Sequence, residues 1–263
     1  MSKIEARFSD LLSQGKKAFI PFMTACYPSR EKFREFLLRA DDANADYIEI
    51  GIPFSDPLAD GKTIQYSSQW VLKNGFLYSQ LLEDLYCLKE KLDASLILMP
   101  YFNYILQKGL DKFSVEMREA NIEGVIVPDL VLEESYPTRK MLAKKGIDLI
   151  YLVSPSTCCE RIESIDKVSN GFIYLVSLTG VTGVRGTLSD KLAAYIQRTR
   201  KTTSKPLCVG FGISNSFQAR KVAELSDGVI IGSAIIDIIR GKEMEKNIIK
   251  KVGTFLMELR QAI

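Results

Sequence analysis

Eight strand-length apolar runs recur along the chain, each followed by a helical stretch, and this alternation limits the fold more than any other feature. The runs are 18–24 (AFIPFMT), 47–50 (YIEI), 95–99 (SLILM), 124–127 (GVIV), 148–153 (DLIYLV), 172–176 (FIYLV), 206–210 (PLCVG) and 228–231 (GVII). Helical stretches follow at 30–43, 81–91, 110–120, 133–145, 159–168, 190–199 and 215–225. A short helix is expected from Ser233 and a last one over 242–259. Strands that are apolar throughout are buried on both faces, as in a parallel sheet whose crossovers are helical. With 263 residues, such a sheet is expected to close on itself. The reading is an α/β fold, one (β/α)8 TIM barrel over 1–263, with extra short helices and an N-terminal helix. That first helix carries Ile4, Phe8, Leu11 and Leu12 on one stripe and stops at Gly15. No linker or low-complexity segment divides the chain. The stretch from 51 to 81 reads as one long loop.

The chain contains no histidine. This removes Ser-His-Asp and Cys-His catalysis, imidazole acid–base chemistry and every histidine-ligated metal site. Proton transfer is left to Asp, Glu, Tyr, Lys or Cys. The five cysteines (Cys26, Cys87, Cys158, Cys159 and Cys208) form no CxxC pair, which suits free thiols in a reducing cytoplasm. No secretory leader is expected before the first amphipathic helix, and no apolar run is long enough to span a membrane. The net charge of +3 is spread without a basic block, so no nucleic-acid footprint is expected.

The working face of such a barrel is the C-terminal end of its strands. At the second end lies DYIEIGIPFSDPLADGK (46–62), punctuated by Pro53 and Pro57 and closed by Asp60-Gly61. Glu49 sits among Tyr47, Ile48 and Ile50, and burial raises the pKa of a carboxylate unless a cation or donors compensate. Taken alone, an acid at a strand end also fits a side chain turned to solvent or bonded to a loop amide. GFGIS (210–214) and Gly232-Ser233 turn out of strands seven and eight into helices, with Ser214 and Ser233 as expected N-caps. Glycine admits a ligand close to backbone N–H groups, and helix starts favour anions. Loops at these two positions are the usual phosphate site of the fold. The stretch SLTGVTGVRG (177–186), within a Ser177 to Leu188 loop, has no apolar stripe and reads as a flap over the ligand. Arg185 within it is placed either at the phosphate or in solvent.

Taken together these stretches resemble the tryptophan synthase alpha subunit family. The resemblance is carried by PFMT (21–24), IEIGIPFSDPLADG (48–61), VPDL (127–130), GFIYLVSLTGVTG (171–183), GFGIS and Gly232-Ser233. It implies retro-aldol cleavage of indole-3-glycerol phosphate to indole and glyceraldehyde 3-phosphate, with neither metal nor organic cofactor in this chain. It also implies a beta-subunit partner, in an alpha2beta2 assembly, that receives the indole and carries pyridoxal phosphate. By the same resemblance Glu49 would deliver and remove the protons, Asp60 would bond the indole N–H, and Tyr174 would stand near the catalytic acid. Phe22, Tyr101 and Phe211 would wall the indole, and Thr182 would belong to the closing flap. Gly183, Gly212, Gly232 and Ser233 would hold the phosphate. Pro53, Asp56 and Pro57 would meet the partner. A raised pKa on Glu49 and an ionised Asp60 in a wetter loop would separate the roles of the two acids.

The chain departs from the family pattern at several loops. TACYP (24–28) stands where the family reads TAGDP, and Gly61-Lys62 where it reads Gly-Pro. Leu130-Val131 replaces the Leu-Pro of the PDLP turn, and Tyr104 replaces the proline of Tyr-Tyr-Asn-Pro. None of these removes a proposed carboxylate. A second reading is therefore an alpha chain that cleaves poorly and acts mainly as an allosteric activator of its partner. A third is a sugar-phosphate isomerase or epimerase, against which the missing histidine counts.

Overall fold

A computed structural model describes residues 1–176, 190–210 and 212–263. Its eight strands are β1 (Ala18–Thr24), β2 (Tyr47–Gly51), β3 (Ser95–Met99), β4 (Ile122–Ile126), β5 (Asp148–Val153), β6 (Ile173–Val176), β7 (Leu207–Gly210) and β8 (Gly228–Ile231). All pair in parallel in chain order, and β8 closes onto β1. The (β/α)8 barrel expected from the alternation is the fold observed.

Around the barrel run α1 (Lys3–Ser13), α2 (Arg30–Asp42), α3 (Lys62–Lys73), α4 (Tyr78–Leu88), α5 (Phe102–Lys108) and α6 (Leu110–Glu119). They continue with α7 (Tyr136–Lys144), α8 (Cys159–Asp166), α9 (Asp190–Thr202), α10 (Ser216–Leu225), α11 (Ser233–Ile239) and α12 (Ile248–Ala262). Two of these correct the sequence reading. The supposed loop over 51–81 contains α3, and α5 follows β3 almost at once. The expected helix at 133–145 opens as a separate 3₁₀ turn (Leu132–Glu134), and α12 starts six residues later than the expected 242. Among the described residues no helix is long and apolar enough to cross a membrane.

The core has two compartments. Ile48 and Ile50 of β2 face the surrounding helices, whereas Tyr47 faces the barrel interior, as strand alternation requires. The interior is closed from below by α1. Ser2 caps that helix by accepting the Glu5 N–H, while the Glu5 carboxylate accepts the Ser2 N–H at 2.9 Å. Ile4 and Phe8 then enter the barrel mouth, where the Phe8 ring stacks on Tyr47 at 5.3 Å and meets Phe172 at 5.6 Å. Each such buried side chain contributes about 2 kcal/mol. The bottom of the barrel is thus a sealed apolar plug, and the open end is the other one.

Candidate active site

Every residue of β2 is buried, and its register sets Glu49 opposite Phe22 of β1 and Ile97 of β3. Alternation puts Glu49 on the same inward face as Tyr47, one step nearer the open end. The residue is 1% exposed, and its Oε2 has no hydrogen-bond partner among the described residues. Loss of water, with a smaller contribution from the charge of Asp60, pushes its pKa up to about 8. Among the described residues no loop amide meets that oxygen and the side chain is not turned to solvent, against the plainer reading of a strand-end acid.

Asp60 is brought alongside by the loop that leaves β2. Ile52 N–H extends the sheet to Met99 O at 2.9 Å, and Asp60 N–H closes a turn on Pro57 O at 3.1 Å. Tyr101 pins this loop from behind. Its ring stacks on Phe54 at 4.8 Å, its hydroxyl accepts the Ala59 N–H at 3.1 Å, and the same hydroxyl lies near enough to the Asp60 carboxylate to act on its pKa. Burial raises the Asp60 pKa to about 6, with the Tyr101 hydrogen bond pulling the other way. Asp60 is therefore less wet than its loop sequence suggests, yet it remains the stronger acid of the pair.

A cavity of about 610 Å³ opens above these residues, lined by Phe22, Glu49, Asp60, Tyr174, Gly212, Gly232 and Ser233 among others. Seven residues predicted from sequence thus share one chamber. Tyr101 supports it from behind rather than lining it. Phe22 fits because its neighbours have no side chains. A Cβ on Gly51 would lie 2.7 Å from the ring's Cζ, and one on Gly232 would lie 2.9 Å from Cδ1. Tyr174 is wedged by the same device, since a Cβ on Gly210 would lie 2.3 Å from its hydroxyl. Burial, and then the charge of Glu49, hold that phenol protonated far above neutral pH.

At the end expected to take the phosphate, Gly212 has a left-handed φ of 74°, and Gly232 is the residue before α11. Ser233 is the first residue of that helix rather than its cap, and Asn215 rather than Ser214 caps α10 by accepting the Gln218 N–H at 2.9 Å. Ser214 instead donates its N–H and hydroxyl to Gln218 Oε1. Phe211, Thr182, Gly183, Arg185 and the Ser177 to Leu188 loop lie outside the described residues. Sequence reasoning missed much of the apolar wall, including Leu58, Ile64, Met99 and Leu152. Inward alternation at the ends of β3 and β5 was the available signal for Met99 and Leu152. In the loop expected to meet a partner, Pro53 is buried, Asp56 is exposed, Pro57 is half-buried and Leu58 is 94% exposed. Among the described residues no cluster of three or more Cys, Asp or Glu is placed to hold a metal ion.

The sequence pattern of the family described as tryptophan synthase alpha chain matches residues 8–263. This chain belongs to that family. It is similar to the tryptophan synthase alpha chain of Synechococcus elongatus, with 43% identity covering 100% of this chain and 97% of the relative. The alpha chain of Caldanaerobacter subterraneus subsp. tengcongensis is 40% identical, with each chain covered in full. The solved structure of tryptophan synthase subunit alpha from Legionella pneumophila superposes with a TM-score of 0.90 at 34% identity, covering 100% and 98% of the two chains. The chain is thus a carbon–carbon lyase that cleaves indole-3-glycerol phosphate to indole and glyceraldehyde 3-phosphate in tryptophan biosynthesis.

The departures from the tryptophan synthase alpha pattern now have addresses. Cys26 stands in the glycine position and adopts a left-handed φ of 60°. For a residue with a Cβ this costs on the order of 1 kcal/mol. Tyr27, in the aspartate position, is fully buried and donates to Glu243 Oε1 at 3.0 Å. Lys62 is the first residue of α3, on the cavity wall. Tyr104 packs against Tyr78 with ring centroids 5.0 Å apart, and Val131 is exposed.

Proposed function

We propose that Glu49 and Asp60 divide the proton work of the lyase reaction. A Glu49 with a pKa near 8 is protonated at neutral pH, as a proton donor to indole C3 must be. Asp60, with a pKa near 6, is mostly ionised there and accepts the indole N–H, stabilising the positive charge that C3 protonation creates. The Glu49 carboxylate then takes the proton of the side-chain hydroxyl next to C3. The C3–C bond breaks, indole regains its aromatic ring, and glyceraldehyde 3-phosphate leaves with a new carbonyl. One proton enters and one returns, so Glu49 finishes the cycle protonated. Tyr174 walls the chamber beside the acid, and Phe22 supplies an apolar face for the indole. Gly212, Gly232 and Ser233 hold the phosphate through backbone N–H groups, with Thr182, Gly183 and Phe211 completing the pocket.

The observation that carries this reading is the buried Glu49 carboxyl, one oxygen of which has no hydrogen-bond partner among the described residues, in the same cavity as Asp60. The chemistry needs only these proton transfers, so the chain itself is proposed to use neither metal nor organic cofactor. The loop with Pro53, Asp56 and Pro57 is proposed to dock a tryptophan synthase beta subunit, which carries pyridoxal phosphate, in an alpha2beta2 enzyme of the cytoplasm. The exposed Asp56 supports that role, as a charged side chain turned to solvent on the same loop. The test is an indole-release assay with and without a cognate beta chain. Release by the isolated chain that rises on adding the partner is expected. No release in either condition would refute the assignment of roles.

A further inference from the structure

The turn between α11 and α12 holds a buried acid that the proton chemistry does not use. Glu243 is 6% exposed, and its Oε1 accepts three hydrogen bonds: from Tyr27 at 3.0 Å, from Tyr66 at 2.8 Å and from the Gly241 N–H at 3.0 Å. Lys32 donates to its backbone carbonyl, and the Arg240 guanidinium lies over the Tyr66 ring at 4.6 Å. Burial alone would raise its pKa, but the hydrogen bonds outweigh burial and leave the carboxyl below its usual range. This is a carboxylate built to stay charged.

The three donors come from different sectors of the barrel. Tyr27 belongs to the loop after β1, Tyr66 to α3 after β2, and Gly241 to the segment after β8. These strands are neighbours, with β1 between the other two. The helix bearing Tyr66 begins one residue after Gly61, and its Gln65 side chain donates to Asp60 O at 2.9 Å. The helix before Glu243 begins at Ser233, on the anion end of the cavity. A second tie joins the same two helices, from the Thr63 hydroxyl to Asp237 Oδ1 at 3.1 Å.

We infer that Glu243 is a positioning residue of the lyase: through Tyr66 it ties the helix that follows the Asp60 loop to the turn after the helix that receives the phosphate end of the substrate. The inference rests on the assignment of Asp60 and Gly232-Ser233 given above. Its mechanical logic is that phosphate binding at α11 places the indole N–H, while α3, through Gln65, helps hold the loop whose carboxylate must meet it. A misplacement of about 1 Å between such groups costs on the order of 10²-fold in rate. Tyr27 adds a second donor to the same oxygen, from the loop after β1 rather than from α3 itself.

Tyr66→Phe and Tyr27→Phe therefore make a matched pair, because each removes one hydrogen bond to Glu243 Oε1 and keeps the ring. Indole release, affinity for glycerol 3-phosphate and melting temperature are measured on the full chain. Tyr66→Phe is expected to lower kcat about five- to fiftyfold. Its KM and glycerol 3-phosphate Kd are expected to stay within about threefold of the unmodified chain, since the anion contacts are untouched. Tyr27→Phe is expected to lower the melting temperature comparably and leave kcat within about twofold. Glu243→Gln, which retains an acceptor oxygen, is expected to keep more activity than Glu243→Ala. Equal kcat losses in the two tyrosine variants, or kcat and glycerol 3-phosphate affinity falling together, would reduce Glu243 to a structural contact and overturn the inference. An unchanged kcat in Tyr66→Phe overturns it also. If the unmodified chain released no indole, both this inference and the lyase roles would fall.

Discussion

Two buried carboxylates at opposite ends of the same barrel are treated differently. Asp148, at the start of β5, is 3% exposed and accepts a hydrogen bond from the Ser2 hydroxyl that also caps α1. Burial raises its pKa to about 6, with Ser2 pulling it down and Glu5 and Glu123 adding to the rise. Glu49, at the open end, is 1% exposed and is raised to about 8, with one oxygen unpartnered among the described residues. Asp148 lines an open pocket beside Met1, Ser2 and Lys3, so it is the shallower of the two. Beyond depth, they differ in whether the described residues supply a donor. The lower end is a seal, where each polar group left behind must be satisfied to keep the plug stable. The upper end leaves a group unsatisfied, and an unpaired buried acid is a proton held ready for transfer.

The sharpest way to break this contrast is to neutralise the bare acid. Glu49→Gln should lower indole release by about 10³-fold or more while the far-UV circular dichroism stays unchanged. A variant with ordinary turnover would remove the proposed mechanism. Next in size is an attack on the seal. Phe8→Ala should cost about 3–5 kcal/mol in urea unfolding, yet leave kcat within about twofold at a temperature where the variant stays folded. A parallel loss of kcat would show that the two ends are coupled.

The pH dependence of stability distinguishes the two acids directly. Both folded pKa values lie above their unfolded ones, so the folded chain keeps protons that the unfolded chain has released. Stability therefore falls as pH rises through each window. For Asp148 the window closes near pH 6, and for Glu49 it extends to about 8. Relative to the unmodified chain, Asp148→Asn should show a difference in melting temperature that is constant above pH 7. Glu49→Gln should gain further between pH 7 and 8.5. Parallel curves for the two variants would contradict the contrast. The smallest effect belongs to Cys26→Gly. Relief of the left-handed strain, less the extra freedom glycine gives the unfolded chain, should add about 0.5 kcal/mol in urea unfolding. An unshifted midpoint would show that Cys26 holds its φ without strain.

Most of the barrel was legible because its strands are buried on both faces, and a run such as AFIPFMT or DLIYLV has no other soluble use. Those two strands fall on the expected residues. The helix α3 was hidden for a physical reason. Its inward face is partly polar, with Ser67 and Ser68 buried and the Ser67 hydroxyl meeting that of Thr24 at 2.6 Å, so its apolar stripe is interrupted. The α5 helix was hidden by brevity, and the turn before α12 by Glu243, whose buried charge serves tyrosines distant in sequence. Glu49 was legible as an acid among apolar residues, and strand alternation aimed it inward. Its lack of a partner was not legible, because that depends on what every neighbouring strand fails to offer. The depth of Asp60 was misjudged for a related reason, since Tyr101 and Phe54 fold its loop over the cavity.

The account depends on Glu49 standing protonated at neutral pH, and a carbon-13 NMR titration of the glutamate carboxyls reads this directly. One resonance, missing from Glu49→Gln, should titrate near pH 8, well above the other glutamates. A Glu49 resonance titrating with the rest, between about pH 4 and 5, would mean an ordinary carboxylate and would contradict the account.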